Sequence, residues 1–345
     1  NGAEGFARIN EEIIKYEVIK TGAVGGSPVV QLKITSRGEW GSKSESHDAG
    51  DNIQQCVVIG DYSDAALGST IDVVAFDLLV NRAGVPASAI ETTAGALYSW
   101  TDERTNWLNA FKINAILSEP KAVNTVLAGL ARSVGANFFW NDNLGKILMK
   151  ADTPLINNIG LPEITDDEIL LNTFNLFNAS KERVSRVFYY YSQKNSTADK
   201  DKPKNFKNLY VTIDSDSESS AQYGVESNKI VYGWGIKDTS TATSISQRML
   251  QRFKTTPVSC EFEVDKSNDE INVGDHFYLT TKHILDVTGE EKRIEMQCLA
   301  LTYNSKTQTN KIKAKEFLFL GIRLAKFTNP IFNPTITAGG SGYTN

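Results

Sequence analysis

Residues 241–253 read TATSISQRMLQRF and residues 258–264 read VSCEFEV, and the change of period between the two runs decides the fold class. In the first, Ile245, Met249, Leu250 and Phe253 share one helical face behind Ser and Thr capping candidates, which predicts a short amphipathic helix. In the second, Val258, Cys260, Phe262 and Val264 alternate with Ser259, Glu261 and Glu263, the period of a half-buried strand. A polar turn over 266–270, then INVGD, leads into a strand at 276–281. A longer loop through Val287, Thr288 and Gly289 leads into 293–303, where Ile294, Met296, Cys298, Ala300 and Thr302 alternate, and the loop 304–310 returns into 311–319. One helix and four strands on short connections predict an antiparallel meander that curls into a barrel or sandwich.

With 345 residues, 41% hydrophobic and 22% charged, the chain is long enough for two or three domains and has the composition of a globular protein. Cys56, Cys260 and Cys298 show no metal-ligand spacing and read as buried free thiols. No run approaches the roughly 18 consecutive apolar residues of a membrane helix. The start, NGAEGFARIN, has neither an initiator Met nor a signal-peptide pattern, and reads as an excerpt of a longer polypeptide or a processed chain. The net charge of −5, with no basic face visible, argues against wrapping duplex nucleic acid.

From the start, GFARI, EEIIKYEVI, VVQLKIT and QQCVVI are strand-like runs with GAVGGSP as a hairpin tip, giving a small β module over 1–60. GAVGGS has neither the spacing nor the strand-to-helix setting of a phosphate-binding loop. Over 61–153 the pattern becomes α/β. Ile71, Val74, Ala75, Leu78 and Leu79 mark one helix ending at Gly84. A second is predicted over 119–134, with Ser118 as N-cap, Pro120 in the first turn and Gly135 as terminator, followed by a hairpin with NDNLG at its tip. Residues 153–162, with Pro154, Gly160 and Pro162, mark a domain boundary; 163–320 is the β-barrel domain; 321–345, with two NP pairs and GGSG, reads as an extended linker or tail. DKDKPKN and DSDSESS read as solvated segments.

Three of these segments, in order, resemble the hub or tail tip proteins of long-tailed bacteriophages, the lambda tail-tip type. The first is GFARINEEIIKY followed by RGEWG (37–41) and HDAGD (47–51), an EIIxY, RGxxG, HxxG pattern. The second is DVVAFDLLVNRAGVPASAI with AVNTVLAGLARSVGANFFWNDNLGKILMK. The third is EITDDEILLNTF, KERVSRVFYYY and KIVYGWGIKD with the helix and strands of the opening stretch. The resemblance implies an α+β, mostly β chain made of a small β module, an α/β domain and a tube-type β-barrel. It implies a structural virion protein at the distal end of the tail, a homotrimer whose ring continues or closes the tail tube. Its implied partners are the tail tube and distal tail proteins, the tape measure protein, a central fibre or receptor-binding protein, and phage DNA in transit, which an acidic lumen would repel.

No nucleophile elbow, HExxH or oriented Cys/His pair is present, so no catalytic, cofactor or metal residue is assigned. His47 reads as a turn residue, and His276 and His283 as packed or surface residues. Glu11 and Glu12, Asp166 and Asp167, and Glu290 and Glu291 are adjacent pairs whose side chains point apart in a strand. Two other readings remain open: a receptor- or carbohydrate-binding adhesin using Trp40, Trp100 and Trp107, otherwise core residues, and a tail-associated cell-wall hydrolase with its catalytic domain outside this chain.

Overall fold

The computed structural model describes residues 4–24, 27–60, 68–153, 160–178, 182–214, 226–265 and 271–318. The centre of the GAVGGSP tip, most of the 153–162 boundary, most of DSDSESS, the 266–270 turn and the 321–345 tail lie outside them. The chain is α+β and mostly β.

Strands β1 (Glu4–Ile9), β2 (Glu12–Val24), β3 (Ser27–Ser36) and β4 (Ile53–Gln55) form an antiparallel sheet in the order β3-β2-β1-β4. Pairing with β1 ends at Glu17, whereas β2 and β3 stay paired to Val24 and Ser27, so the hairpin leaves the sheet as a two-stranded ribbon. The QQCVVI run, expected as one strand, divides at Cys56. The Cys56 N–H donates to the Phe6 carbonyl at 2.8 Å, and the chain then crosses into β5 (Val57–Ile59), which pairs with β6 (Ala115–Leu117). Cys56, Phe6, Ile13 and Ile116 pack together and seal that crossing.

Helix α1 (Ile71–Phe76) widens into i→i+5 turns over Asp77–Arg82, and α2 (Trp100–Glu103) does the same over Arg104–Leu108. Helix α3 (Val123–Val134) is shorter than expected. Ser118 does not cap it, because its hydroxyl donates to the Ser196 carbonyl at 3.2 Å; Ala122 holds the cap position and Pro120 precedes the helix. Gly135, at φ +68°, ends it as expected, and β7 (Ala136–Asn141) and β8 (Lys146–Ala151) form the hairpin.

Strand β9 (Glu163–Thr165) and strand β10 (Asn175–Asn178) come next. Then β11 (Arg186–Gln193) pairs antiparallel with β12 (Phe206–Ile213) and parallel with β13 (Asn228–Gly233). Helix α4 (Thr239–Phe253) follows, capped by Asp238, whose carboxylate accepts from the Thr241 N–H at 2.7 Å. Ile245, Met249 and Leu250 of α4 are buried against Val187, Tyr189, Tyr191 and the helices of the α/β region in one continuous core. The opening helix therefore packs on the three strands before it, and residues 163–320 contribute to two cores.

The second large core belongs to β14 (Val258–Asp265), β15 (His276–Thr280), β16 (Ile294–Asn304) and β17 (Thr309–Glu316), with β9 and β10 as the margins of a six-stranded half-barrel. Cys260, Phe262, Val264, Phe277, Met296 and Ile312 fill it. Strands β15, β16 and β17 form the meander, but β14 lies beside β17, a Greek-key order. A bulge between Cys298 and Ala300 ends the inward alternation of β16, leaving Ala300 and Thr302 exposed.

The β module meets the core sheet at Gly41 (φ +78°), where an added Cβ would lie 1.7 Å from the Lys194 carbonyl oxygen. Gly41→Ala is expected to cost roughly 2–4 kcal/mol in urea unfolding. Gly22→Ala, with nothing within 4 Å, should stay within about 0.5 kcal/mol of the parent.

Candidate functional site

The EIIxY, RGxxG and HxxG segments converge on one carboxylate. Glu12, at the start of β2, is fully buried, and five donors surround it. Arg37 binds both oxygens, Nε to Oε1 at 2.9 Å and Nη2 to Oε2 at 2.5 Å. The backbone N–H groups of Gly38 and Glu45 donate at 3.0 and 3.1 Å, and His47 Nε2 donates at 2.8 Å. Gly38 sits at φ +64°, which aims its N–H at the carboxylate. Burial pushes the Glu12 pKa up, but the Arg37 guanidinium and the other donors outweigh it and hold the pKa at about 2. His47, expected in a surface turn, is mostly enclosed, with its ring on the buried carboxylate. The neighbouring Glu11, expected in a strand with Glu12, lies in the turn before β2 and pairs with Arg8 at 2.7 Å. Every acceptor direction of Glu12 is used, so the cluster is a clasp that ties the 37–47 loop to β2.

A second charged cluster lies between the two large cores. Lys150 on β8 is 4% exposed and contacts Nε2 of His276 on β15, which is 2% exposed. His276 Nδ1 lies 2.9 Å from Glu295 Oε1 on β16, so the imidazole donates to the carboxylate and accepts from the lysine. Tyr98 and Phe317 flank the ammonium, with ring centres at 4.7 and 5.3 Å. Arg252 of α4 stacks on Phe317 and donates to the Glu316 carbonyl at 3.0 Å. Gly274 lies against the Phe139 ring, so the β7–β8 hairpin seats directly on the half-barrel. Burial lowers the Lys150 pKa to about 7. Burial, with the charges of Lys150 and Arg252, lowers that of His276 to about 2 and keeps the ring neutral. Burial raises Glu295 and Asp275. The network holds a proton inside the junction between the two cores. Lys150 escaped the sequence reading because a lysine in an alternating strand is normally exposed; the signal was its place between Met149 and Ala151, in a run that is buried on both faces.

The other singled-out residues are dispersed. His283 stacks on Phe174 with ring centres 5.0 Å apart. Trp100 is buried and donates Nε1–H to the Ile147 carbonyl at 3.0 Å; Trp107 packs on the same core, and Trp40 packs edge-on against Phe6. The exposed indole is instead Trp140. Cys56, Cys260 and Cys298 are buried and free, and burial raises their pKa values to about 11, 12 and 12. Among the described residues no group of three His, Cys, Asp or Glu could hold a metal ion, and no helix is long and apolar enough to cross a membrane.

What the fold leaves open is sheet surface. Among the described residues β3, β4, β9, β10, β12 and β13 each have one unpaired edge. Leu176 and Phe177 stand exposed on β10. Leu209, Val211 and Ile213 on β12 and Ile230 on β13 stand exposed on the side of their sheet away from α4.

No family model matches the sequence, and no curated protein matches it either. Among solved structures, the chain is similar to a chain of the virion of a native gene transfer agent particle, with 12% identity over 72% of this chain and 48% of that one and a TM-score of 0.47. It thus spans about half of that chain. It is similar to the tail protein from Neisseria meningitidis MC58, with 12% identity over 91% of both chains and a TM-score of 0.43. It is also similar to the 43 kDa tail protein of prophage MuSo2 from Shewanella oneidensis, with 15% identity over 90% and 92% and a TM-score of 0.40.

The Glu12 clasp is stabilising above the unfolded carboxylate pKa, and its contribution is lost as pH falls towards 2. Glu12→Gln should therefore cost roughly 3 kcal/mol at pH 7 in denaturant unfolding, and the difference from the parent should shrink between pH 4.5 and 2. Lys150 has the opposite sign. Below pH 7 it is protonated in both states and its burial cost is complete; from pH 7 to 10.5 the unfolded chain holds the extra proton, so stability rises. Lys150→Met should keep or raise the melting temperature at pH 6 and should abolish the rise above pH 7.

Proposed function

We propose that this chain is a structural virion protein, the hub of a phage tail tip or baseplate, that assembles as a trimeric ring and lets DNA pass during ejection. The observation that carries the reading is the open sheet surface. Unpaired strand edges bearing exposed Leu176 and Phe177, and an apolar sheet face bearing Leu209, Val211, Ile213 and Ile230, promote uncontrolled association in a monomer. Ring closure buries such surfaces in a finite assembly. The ordered resemblance of three segments to hub proteins supports a position at the tail tip. The Glu12 clasp and the Lys150 junction add rigidity that suits a ring under mechanical stress, because each binds neighbouring elements through buried charge.

In the proposed virion the chain contacts the tail tube and distal tail proteins above it, and the tape measure and a central fibre or receptor-binding protein on its axis. Antibody raised against this chain and detected with immunogold should label the distal tail tip of intact virions of the parent phage. Gold confined to side fibres would favour an adhesin, and unlabelled virions would overturn the structural reading.

A further inference from the structure

We propose that His276 is a proton-operated latch between the two large cores: a second proton on the Lys150–His276 pair parts the half-barrel from the first core, and both cores stay folded. The latch is a property of the fold by itself and does not rest on the ring reading above.

Both nitrogens of the His276 ring are committed. Nδ1 lies 2.9 Å from Glu295 Oε1, and Nε2 faces the Lys150 ammonium. A charged lysine has donors and no acceptor, so this contact holds only while Nε2 keeps its lone pair. Passing one proton from Lys150 to His276 still leaves a donor facing an acceptor. A second proton sets donor against donor and cation against cation, with His276 2% and Lys150 4% exposed, a depth at which water screens little.

Charges reach the pair from every element around it. Arg252 of α4 adds a further positive charge and donates to the Glu316 carbonyl at 3.0 Å. Glu295 on β16 bonds the imidazole, and Glu103 on α2 accepts from the Ala151 N–H at 2.9 Å. Asp275, before β15, accepts from the Asn272 N–H at 2.8 Å; Asp152, after β8, accepts from Asn137 at 2.8 Å; Glu316 on β17 accepts from the Val258 N–H at 3.0 Å. The Tyr98 hydroxyl lies 3.5 Å from Lys150 Nζ, and the Phe317 ring meets the imidazole edge-on with centres 4.2 Å apart. Among the described residues Glu295 is the one carboxylate hydrogen-bonded to His276.

Burial, with the Lys150 and Arg252 charges, holds His276 at about 2 in the closed junction, whereas a freed imidazole titrates near 6.5. Between those values the open form holds one proton more, so acid favours opening, by at most about tenfold in open population per pH unit below 6.5. Glu295, Asp275 and Glu103, all raised by burial, take up protons earlier in the closed form and oppose part of this trend. Lys150, lowered by burial to about 7, is already largely charged in both forms there. Beside the latch, the seam carries the Phe139 ring on Gly274 and the Asn143–Asn272 hydrogen bond at 3.0 Å. Residues 254–257, outside helix and strand between α4 and β14, lie next to Arg252 and form the pivot.

Single-molecule energy transfer tests the latch in the full chain, with dyes on Ala128→Cys in α3 and Val287→Cys in the loop before β16; both sites are exposed and the native cysteines are buried. Reading single chains removes self-association from the signal. From pH 6.5 to 4.5 the low-transfer population of the parent should grow while circular dichroism stays unchanged. His276→Gln keeps a donor for Glu295 and an acceptor for Lys150 but takes no proton, so its growth should be smaller by about tenfold or more. Lys150→Met, which removes the opposing cation, should also open less than the parent. A parent whose transfer does not change, or a His276→Gln or Lys150→Met chain that opens as far as the parent, would overturn the latch. Loss of circular dichroism in the parent over the same range would overturn it too, because the chain would then be unfolding rather than parting.

Discussion

The Lys150–His276–Glu295 chain lies where the two large cores meet, and the relation between them depends on it. One core joins α1, α3 and α4 to the β12-β11-β13 sheet; the other fills the half-barrel. Lys150 comes from the first and His276 and Glu295 from the second. A lysine at this depth carries a desolvation cost, offset here by an imidazole acceptor, two aromatic faces and nearby carboxylates. An apolar joint of the same area would hold the units together with less demand on their angle, whereas hydrogen-bonded charge fixes that angle. For a subunit whose proposed work is to hold a ring in register, the angle between its parts matters more than the free energy of joining them.

The same logic governs the smaller module. Glu12 organises the 37–47 loop through five donors, and that loop reaches the core sheet where Gly41 meets the Lys194 carbonyl and the Ser196 N–H donates to the Trp40 carbonyl at 3.2 Å. Small sheets with few buried side chains are weak by themselves. Here a buried carboxylate supplies the rigidity that the hydrophobic cluster around Phe6 and Ile13 is too small to provide.

Periodicity made the elements legible and left their partners hidden. The helix around Ile245 and Met249, the strand with Cys260, Phe262 and Val264, and the Gly135 stop all follow from local pattern, because burial of one face imposes the repeat. The pairing of β14 with β17, the division of QQCVVI between two sheets at Cys56, and the packing of α4 on the strands before it depend on long-range contacts that a linear pattern does not encode. The clasp was half legible: Glu12 stood in EIIxY, Arg37 and Gly38 in RGxxG and His47 in HxxG, but nothing local showed that the three segments meet on the Glu12 carboxylate. Lys150 was fainter still, since a buried lysine is an exception and only its place between Met149 and Ala151 hints at it.

The proposed tail-tip role requires this chain to close with copies of itself into a threefold ring. Electron cryomicroscopy of the purified chain at a concentration where it associates tests that claim most directly. Class averages of a closed three-subunit ring with an open centre are the predicted result. Single chains, twofold dimers or open-ended filaments would contradict it.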